Sequence, residues 1–181
     1  VVSSGCPYTI TRTWTAVDAC GNTASATQVI IVYDNVDPVL HGVPANITLE
    51  CDQQVPAVNV FATDNCTEEL TVSLNANTVT YDCGSIFTRT WSVVDACGNE
   101  ATASQVITFV DTTNPYIVEG VPAELTIECD EDVPSFTPVF GDNCDDDLTV
   151  YPASSISQID CGYIIHRSWQ AIDDCGNSKI G

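Results

Sequence analysis

A twelve-residue stretch occurs three times in this chain of 181 residues, and its spacing limits what the chain can fold into. It reads Thr-Arg-Thr-Trp-Thr-Ala-Val-Asp-Ala-Cys-Gly-Asn at 11–22 and Thr-Arg-Thr-Trp-Ser-Val-Val-Asp-Ala-Cys-Gly-Asn at 88–99. The third copy is His-Arg-Ser-Trp-Gln-Ala-Ile-Asp-Asp-Cys-Gly-Asn at 166–177. Trp14, Trp91 and Trp169 therefore stand 77 and 78 residues apart. Solenoid repeats have shorter periods, of about 20–50 residues, so this period predicts an array of small domains. The expected division is the last two strands of one repeat over 1–36, a complete repeat over 37–113, and a repeat lacking its last strand over 114–181. On this reading the chain is a window on a longer protein.

Each repeat is small and buries a modest core. It carries four cysteines, ten in the whole chain. Regular, even cysteine spacing in small domains implies a disulfide framework and an oxidising compartment, hence an extracellular or cell-surface location. The charge is strongly acidic, with 25 Asp and Glu against 4 Lys and Arg, a formal −21. Such a field repels nucleic acid and anionic membrane and attracts divalent cations. No apolar run is long enough to span a bilayer.

The complete repeat reads as strands throughout. Ile47–Cys51 alternates, Val58–Thr63 and Leu70–Leu74 follow, and residues 75–82 form a weaker strand or loop. Phe87, Arg89, Trp91 and Val93 share one face of the next strand. Gly98 serves the turn at 96–99, and Ala101–Val110 returns as the other arm of a hairpin. Six or seven short strands with turn signals between them predict an all-β fold of tandem immunoglobulin-like β-sandwiches, stapled by disulfides.

Four cysteines allow three pairings. Cys83 and Cys97 flank an extended strand and stand roughly 30 Å apart. A disulfide needs Cα atoms about 4.4–6.8 Å apart, so these two cannot pair. Cys51 and Cys66 are separated by a strand in the same way. An immunoglobulin-like topology brings Cys66 near Cys97 at one pole and Cys51 near Cys83 at the other. The expected bonds are Cys51–Cys83, Cys66–Cys97, Cys129–Cys161 and Cys144–Cys175. Cys6 and Cys20 are expected to pair outside this chain, since a Cys6–Cys20 bond would bend their hairpin out of shape.

Catalytic chemistry finds no support. There is no Cys-x-x-Cys or Gly-x-Ser-x-Gly, and the only two histidines, His41 and His166, are not equivalent in the repeat. A cation site is better supported. Asp64, Asn65, Asp95 and Asn99 sit on two turns predicted to share a pole, where the linker with Asp34 and Asp37 enters. Asp142, Asn143, Asp145, Asp146, Asp147, Asp173, Asp174 and Asn177 repeat the pattern, with Asp111 and Asn114 from the next linker. Ca²⁺ takes six to eight oxygen ligands of these kinds. The competing reading is that Asp and Asn here only make turns by bonding their own backbone. Arg12, Arg89 and Arg167 recur beside the tryptophans, which suits stacking or an inward ion pair. The tryptophans themselves read as core anchors.

Ala62-Thr-Asp-Asn-Cys66, Leu70-Thr-Val-Ser73, and Trp91-Ser-Val-Val-Asp-Ala-Cys-Gly-Asn-Glu-Ala-Thr102 resemble the hyalin repeat, as do Asp37-Pro38 and Val43-Pro-Ala-Asn-Ile-Thr48. The resemblance implies an immunoglobulin-like module of extracellular matrix and adhesion proteins. The cysteine-bearing version is similar to tandem repeats of giant surface adhesins and filament proteins of Bacteroidota, cargo of type IX secretion. The reading is a mechanical, non-enzymatic role, and the near-identity of the repeats suggests copies of itself in a fibre, or neighbouring repeats, as partners. The alternative it leaves open is a calcium-dependent module binding a surface glycan or protein.

Overall fold

A computed structural model describes residues 6–181. Every regular element among them is a β-strand, thirteen in all. They are β1 Tyr8–Val17, β2 Thr23–Val32, β3 Val39–His41, β4 Ile47–Glu50, β5 Phe61–Thr63, β6 Ser73–Tyr81, β7 Gly84–Val94, β8 Glu100–Val110, β9 Tyr116–Glu119, β10 Val139–Gly141, β11 Thr149–Ile159, β12 Gly162–Ile172 and β13 Ser178–Ile180. The all-β expectation holds. In detail, residues 58–60 are irregular, and the strand expected at Leu70–Leu74 starts only at Ser73 and runs on through the Asn- and Thr-rich stretch.

The chain forms two compact units. The first comprises residues Val1–Asn46, Pro56–Asn77 and Thr88–Val106, of which only those from Cys6 onward are described; the second comprises Ile47–Val55, Thr78–Phe87 and Ile107–Gly181. This grouping differs from the division at 36 and 113 read from the sequence. Strands β6, β7 and β8 are each divided between the two.

The first unit holds the β1–β2 hairpin, in which Tyr8 faces Val32 and Val17 faces Thr23. It also holds β3, paired antiparallel with β5. Its centre is a polar core built around Arg89. Arg89 Nε donates to Gln105 Oε1 at 2.7 Å, and both terminal nitrogens reach the Pro56 carbonyl oxygen at 3.3 Å. The guanidinium lies 5.2 Å from the Trp91 ring. Gln105 Nε2 then donates to the Ala45 carbonyl. The recurring arginine thus stacks on its tryptophan, and carbonyl and amide oxygens meet its charge. Trp91, Val93, Arg89 and Gln105 are all buried. Trp14 departs from the expected core role. It is 55% exposed because β1 and β2 pair only with each other.

The second unit places β4 parallel to the end of β8, with Ile47 facing Ile107 and Glu50 facing Val110. Beside it are the antiparallel β9–β10 pair and the β11–β12–β13 sheet. Ile107, Trp169 and Ala171 form its core. β4 exists because Ile107–Val110 lies alongside it. The equivalent Leu-Thr-Ile-Glu at 125–128 has no such neighbour and is irregular.

The Arg89 network yields a stability prediction. Gln105→Leu removes an acceptor from the buried Arg89 charge and a donor from the Ala45 carbonyl. It should cost about 2–3 kcal/mol, read as a lower urea midpoint with unchanged slope.

Candidate functional site

The site grows from one turn, Asp-x-Cys-Gly-Asn. In the hairpin between β7 and β8, Asp95 Oδ1 accepts the N–H groups of Cys97 and Asn99, each at 2.8 Å. Asn99 Nδ2 donates to Asp95 Oδ2 at 2.6 Å. Gly98 takes φ 91°, a left-handed value that costs glycine little. Asp18 builds the same turn, accepting from Cys20 N at 2.9 Å and Asn22 N at 2.8 Å. Asp173 accepts Asn177 N at 2.8 Å, and Gly176 has φ 87°. The backbone-bonding reading of these aspartates is therefore correct as far as it goes.

The turn gathers two further segments. Within the first unit, Asn99 Nδ2 reaches the Asp34 carbonyl oxygen of the linker at 3.4 Å. Ala96 N donates to Thr67 Oγ1 at 3.3 Å, which holds the Asp64 loop beside it. Asp64 Oδ1 accepts from Cys66 N at 3.0 Å and Thr67 N at 2.8 Å. The second unit repeats each step. Asn177 Nδ2 reaches the Asp111 carbonyl oxygen at 3.2 Å, and Asp174 N donates to Asp145 Oδ2 at 2.9 Å. Asp142 Oδ1 accepts Cys144 N at 2.9 Å.

Acidic oxygens converge as a result. Asp34, Asp64 and Asp95 each offer an oxygen within 4.8 Å of the others in the first unit, as do Asp111 and Asp142 in the second. Asp34 Oδ2, Asp64 Oδ2, Asp142 Oδ2, Asp173 Oδ2 and Asn143 Oδ1 are buried without a hydrogen-bond partner. Such orphaned acceptors are rare unless an ion or water completes them. The other expected ligands are placed differently. Asp37 is exposed and joins neither group, whereas Asp34, three residues earlier, does. Asn65 turns its amide onto Cys66 Sγ at 3.2 Å. Asn143 does the same to Cys144 Sγ at 3.1 Å. Asn99 and Asn177 act as linker clamps through their amide nitrogens.

The cystines correct the sequence reading. Cys6 bonds Cys97, Cys51 bonds Cys144 and Cys83 bonds Cys175. The expected Cys51–Cys83, Cys66–Cys97, Cys129–Cys161 and Cys144–Cys175 bonds are not formed. Cys20, Cys66, Cys129 and Cys161 are free and exposed. Cys6 pairs inside the chain, contrary to expectation. The Cys66 and Cys97 loops do touch, through Ala96 N and Thr67 Oγ1, and Cys51 N bonds the Val110 carbonyl at the end of β8. What sequence reasoning missed is that the next repeat's cysteines arrive at the same places. The signal was available as the recurring separations of 91, 93 and 92 residues.

Charges in the site are shifted in two directions. Cys66 and Thr67 N–H groups hold the Asp64 carboxyl below its usual range. Burial pushes Asp95 up, but the Asn99 side chain and the Asn99, Cys97 and Gly98 N–H groups outweigh it and leave Asp95 low. Burial raises Asp111. The Thr113 N–H opposes this, and the charges of Asp142, Asp173 and Glu50 reinforce it. Asp64 and Asp95 therefore lend stability that is complete above pH 3.8 and is lost as pH falls through their lower folded values. Asp111 acts oppositely: its cost to stability sets in as pH rises through 3.8 and is complete above its raised folded value. In chelator at neutral pH, Asp111→Asn should unfold at higher urea than the parent. The two midpoints should converge in acid.

Residues 40–109 match the family model of the HYR-like domain with 4 cysteines. Domains of that family are immunoglobulin-like, non-enzymatic extracellular modules. No curated protein sequence matches the chain.

Proposed function

We propose that this chain is a structural segment of an extracellular adhesin or filament, and that its repeats are cross-linked so that tension is carried covalently from one to the next. The bacterial surface setting and type IX export implied by the resemblance belong to this proposal, as does lateral association with copies of itself. The observation that carries it is the pairing of cysteines between successive repeats. A bond inside a repeat would stabilise that repeat alone. These bonds overlap, since Cys83 lies inside the loop closed by Cys6 and Cys97.

The overlap sets a limit on stretching. From Cys6 to Cys175 the shortest covalent route crosses to Cys97, runs back 14 residues to Cys83 and crosses to Cys175. At about 3.6 Å per extended residue that route measures roughly 60 Å, including the two bridges. The unbridged chain of 169 residues between the same cysteines would reach roughly 600 Å. Single-molecule pulling on the oxidised chain should therefore never separate Cys6 and Cys175 beyond about 60 Å. Reductant should release the rest. A long extension under oxidising conditions would overturn the mechanical reading.

Calcium enters the same proposal as a strut at the acidic groups. The unpartnered oxygens of Asp34, Asp64, Asp142 and Asp173 favour it, with the Asp111 charge beside Asp142 and Asp173. Three carboxylates meeting without a cation repel one another, and a hard cation is the ligand that oxygen donors of this kind select. A bound ion at 100 times its Kd would add about 2.7 kcal/mol. Calcium should raise the melting temperature by several degrees. Asp64→Asn and Asp142→Asn should each remove part of that rise. Identical melting with calcium and with chelator would refute the strut and leave the covalent proposal standing.

A further inference from the structure

The three cystines follow one pairing rule. In each complete repeat the cysteines fall in a fixed order. Cys51 and Cys129 are first, Cys66 and Cys144 second, Cys6, Cys83 and Cys161 third, and Cys20, Cys97 and Cys175 fourth. A first cysteine bonds the second cysteine of the following repeat, as Cys51 does to Cys144 over 93 residues. A third bonds the fourth of the following repeat, as Cys6 does to Cys97 over 91 residues and Cys83 to Cys175 over 92.

The free thiols obey the same rule by default. Cys20 and Cys66 call for a third and a first cysteine of a preceding repeat. Cys129 and Cys161 call for a second and a fourth of a following one. At the observed separations each of those partners falls outside residues 1–181. All four free cysteines are of this kind, and no bonded cysteine is.

Local geometry says the same. Cys66 is seated as its bonded equivalent Cys144 is. Cys66 N donates to Asp64 Oδ1 at 3.0 Å and Cys144 N to Asp142 Oδ1 at 2.9 Å. Asn65 and Asn143 direct Nδ2 to the neighbouring sulfur at 3.2 Å and 3.1 Å. Cys20 is likewise seated as its bonded equivalent Cys97 is, with its N–H on Asp18 Oδ1 at 2.9 Å against 2.8 Å for Cys97 on Asp95. The turns that present bonded cysteines are already formed at the free ones.

We infer that Cys20, Cys66, Cys129 and Cys161 are the attachment points for a further copy of the repeat on either side, through the same first-to-second and third-to-fourth cystines. This rests on the tandem structural role proposed above. The chemistry is thiol–disulfide exchange. One cysteine thiolate attacks glutathione disulfide and expels a glutathione thiolate. The partner cysteine thiolate then displaces the second glutathione. Two cysteine thiols become one cystine, and one glutathione disulfide becomes two glutathione thiols.

The test extends the full chain at its C-terminus with a second copy of residues 104–181, one period long, in which Cys129→Ser and Cys161→Ser are introduced. After refolding in glutathione buffer, thiols are alkylated and the cystine peptides mapped by mass spectrometry. The unextended chain should carry four labels, on Cys20, Cys66, Cys129 and Cys161. The extended chain should carry two, on Cys20 and Cys66. New Cys129–Cys144 and Cys161–Cys175 peptides should appear beside undiminished Cys51–Cys144 and Cys83–Cys175. Monomeric mass without reductant assigns these bonds to the continuing chain. Dimeric mass with the same peptides assigns them to a second copy, and both support the inference. Six labels on the extended chain, or four with either new cystine peptide missing, or a Cys129–Cys161 peptide in either chain, overturns it. Loss of Cys6–Cys97, Cys51–Cys144 and Cys83–Cys175 from both chains would instead bring down the tandem role itself.

Discussion

The carboxylate of the Asp-x-Cys-Gly-Asn turn is the interaction on which the rest depends. One aspartate ties down the backbone of the turn, fixes its asparagine, and through that asparagine holds the linker carbonyl. The same turn presents the cysteine that receives the bond from the preceding repeat. Buried carboxylates are costly unless several donors meet them. Here the donors are the turn's own Cys97 and Asn99 N–H groups and the Asn99 amide, and that same amide reaches the Asp34 carbonyl, so satisfying the charge orients the group that clamps the linker. Asp173 repeats the turn and its Asn177 repeats the linker clamp, while Asp18 builds the turn alone, with left-handed glycines at Gly21, Gly98 and Gly176.

A second constraint is the parallel pairing of β4 with β8. It carries Cys51 past the end of the sheet, where its N–H caps the Val110 carbonyl. Glu50 then accepts from Thr112 N at 3.1 Å and from its hydroxyl at 2.6 Å, which fixes the start of the next linker. A short strand of four residues thus sets where a cystine leaves the repeat. The Arg89–Gln105 pair works at the other level, as a polar core that only the right neighbours can complete. Trp14 shows what the same sequence does without them, since its hairpin leaves the ring more than half exposed.

Much of this was legible in the sequence. The repeat, the strand-rich fold, the hairpin around Gly98 and the meeting of the Asp64 and Asp95 loops all follow from alternation, turn chemistry and strand length. The exclusion of a Cys83–Cys97 bond followed from strand length as well, and these two cysteines do bond elsewhere. The pairing itself was hidden because a repeat was treated as a closed object. The choice of partner depends on what the following repeat delivers: Cys144 to Cys51 and Cys175 to Cys83. Asp37 failed as a site residue for a related reason: the linker docks through Asp34, and its sequence equivalent Asn114 serves as an acceptor for Ser178 N at 3.2 Å. Charge and position marked the linker without marking which residue faces inward.

The overlap of the cystine loops has a consequence for damage. Every peptide bond between Cys6 and Cys175 lies inside at least one closed ring, because the ring from Cys6 to Cys97 and the ring from Cys83 to Cys175 share residues 83–97. A single hydrolytic cut anywhere in that span leaves one covalent molecule. Severance needs two cuts in chosen places, or one cut together with the loss of a bridge. A nicked chain thus keeps its covalent continuity for as long as its bridges stay oxidised.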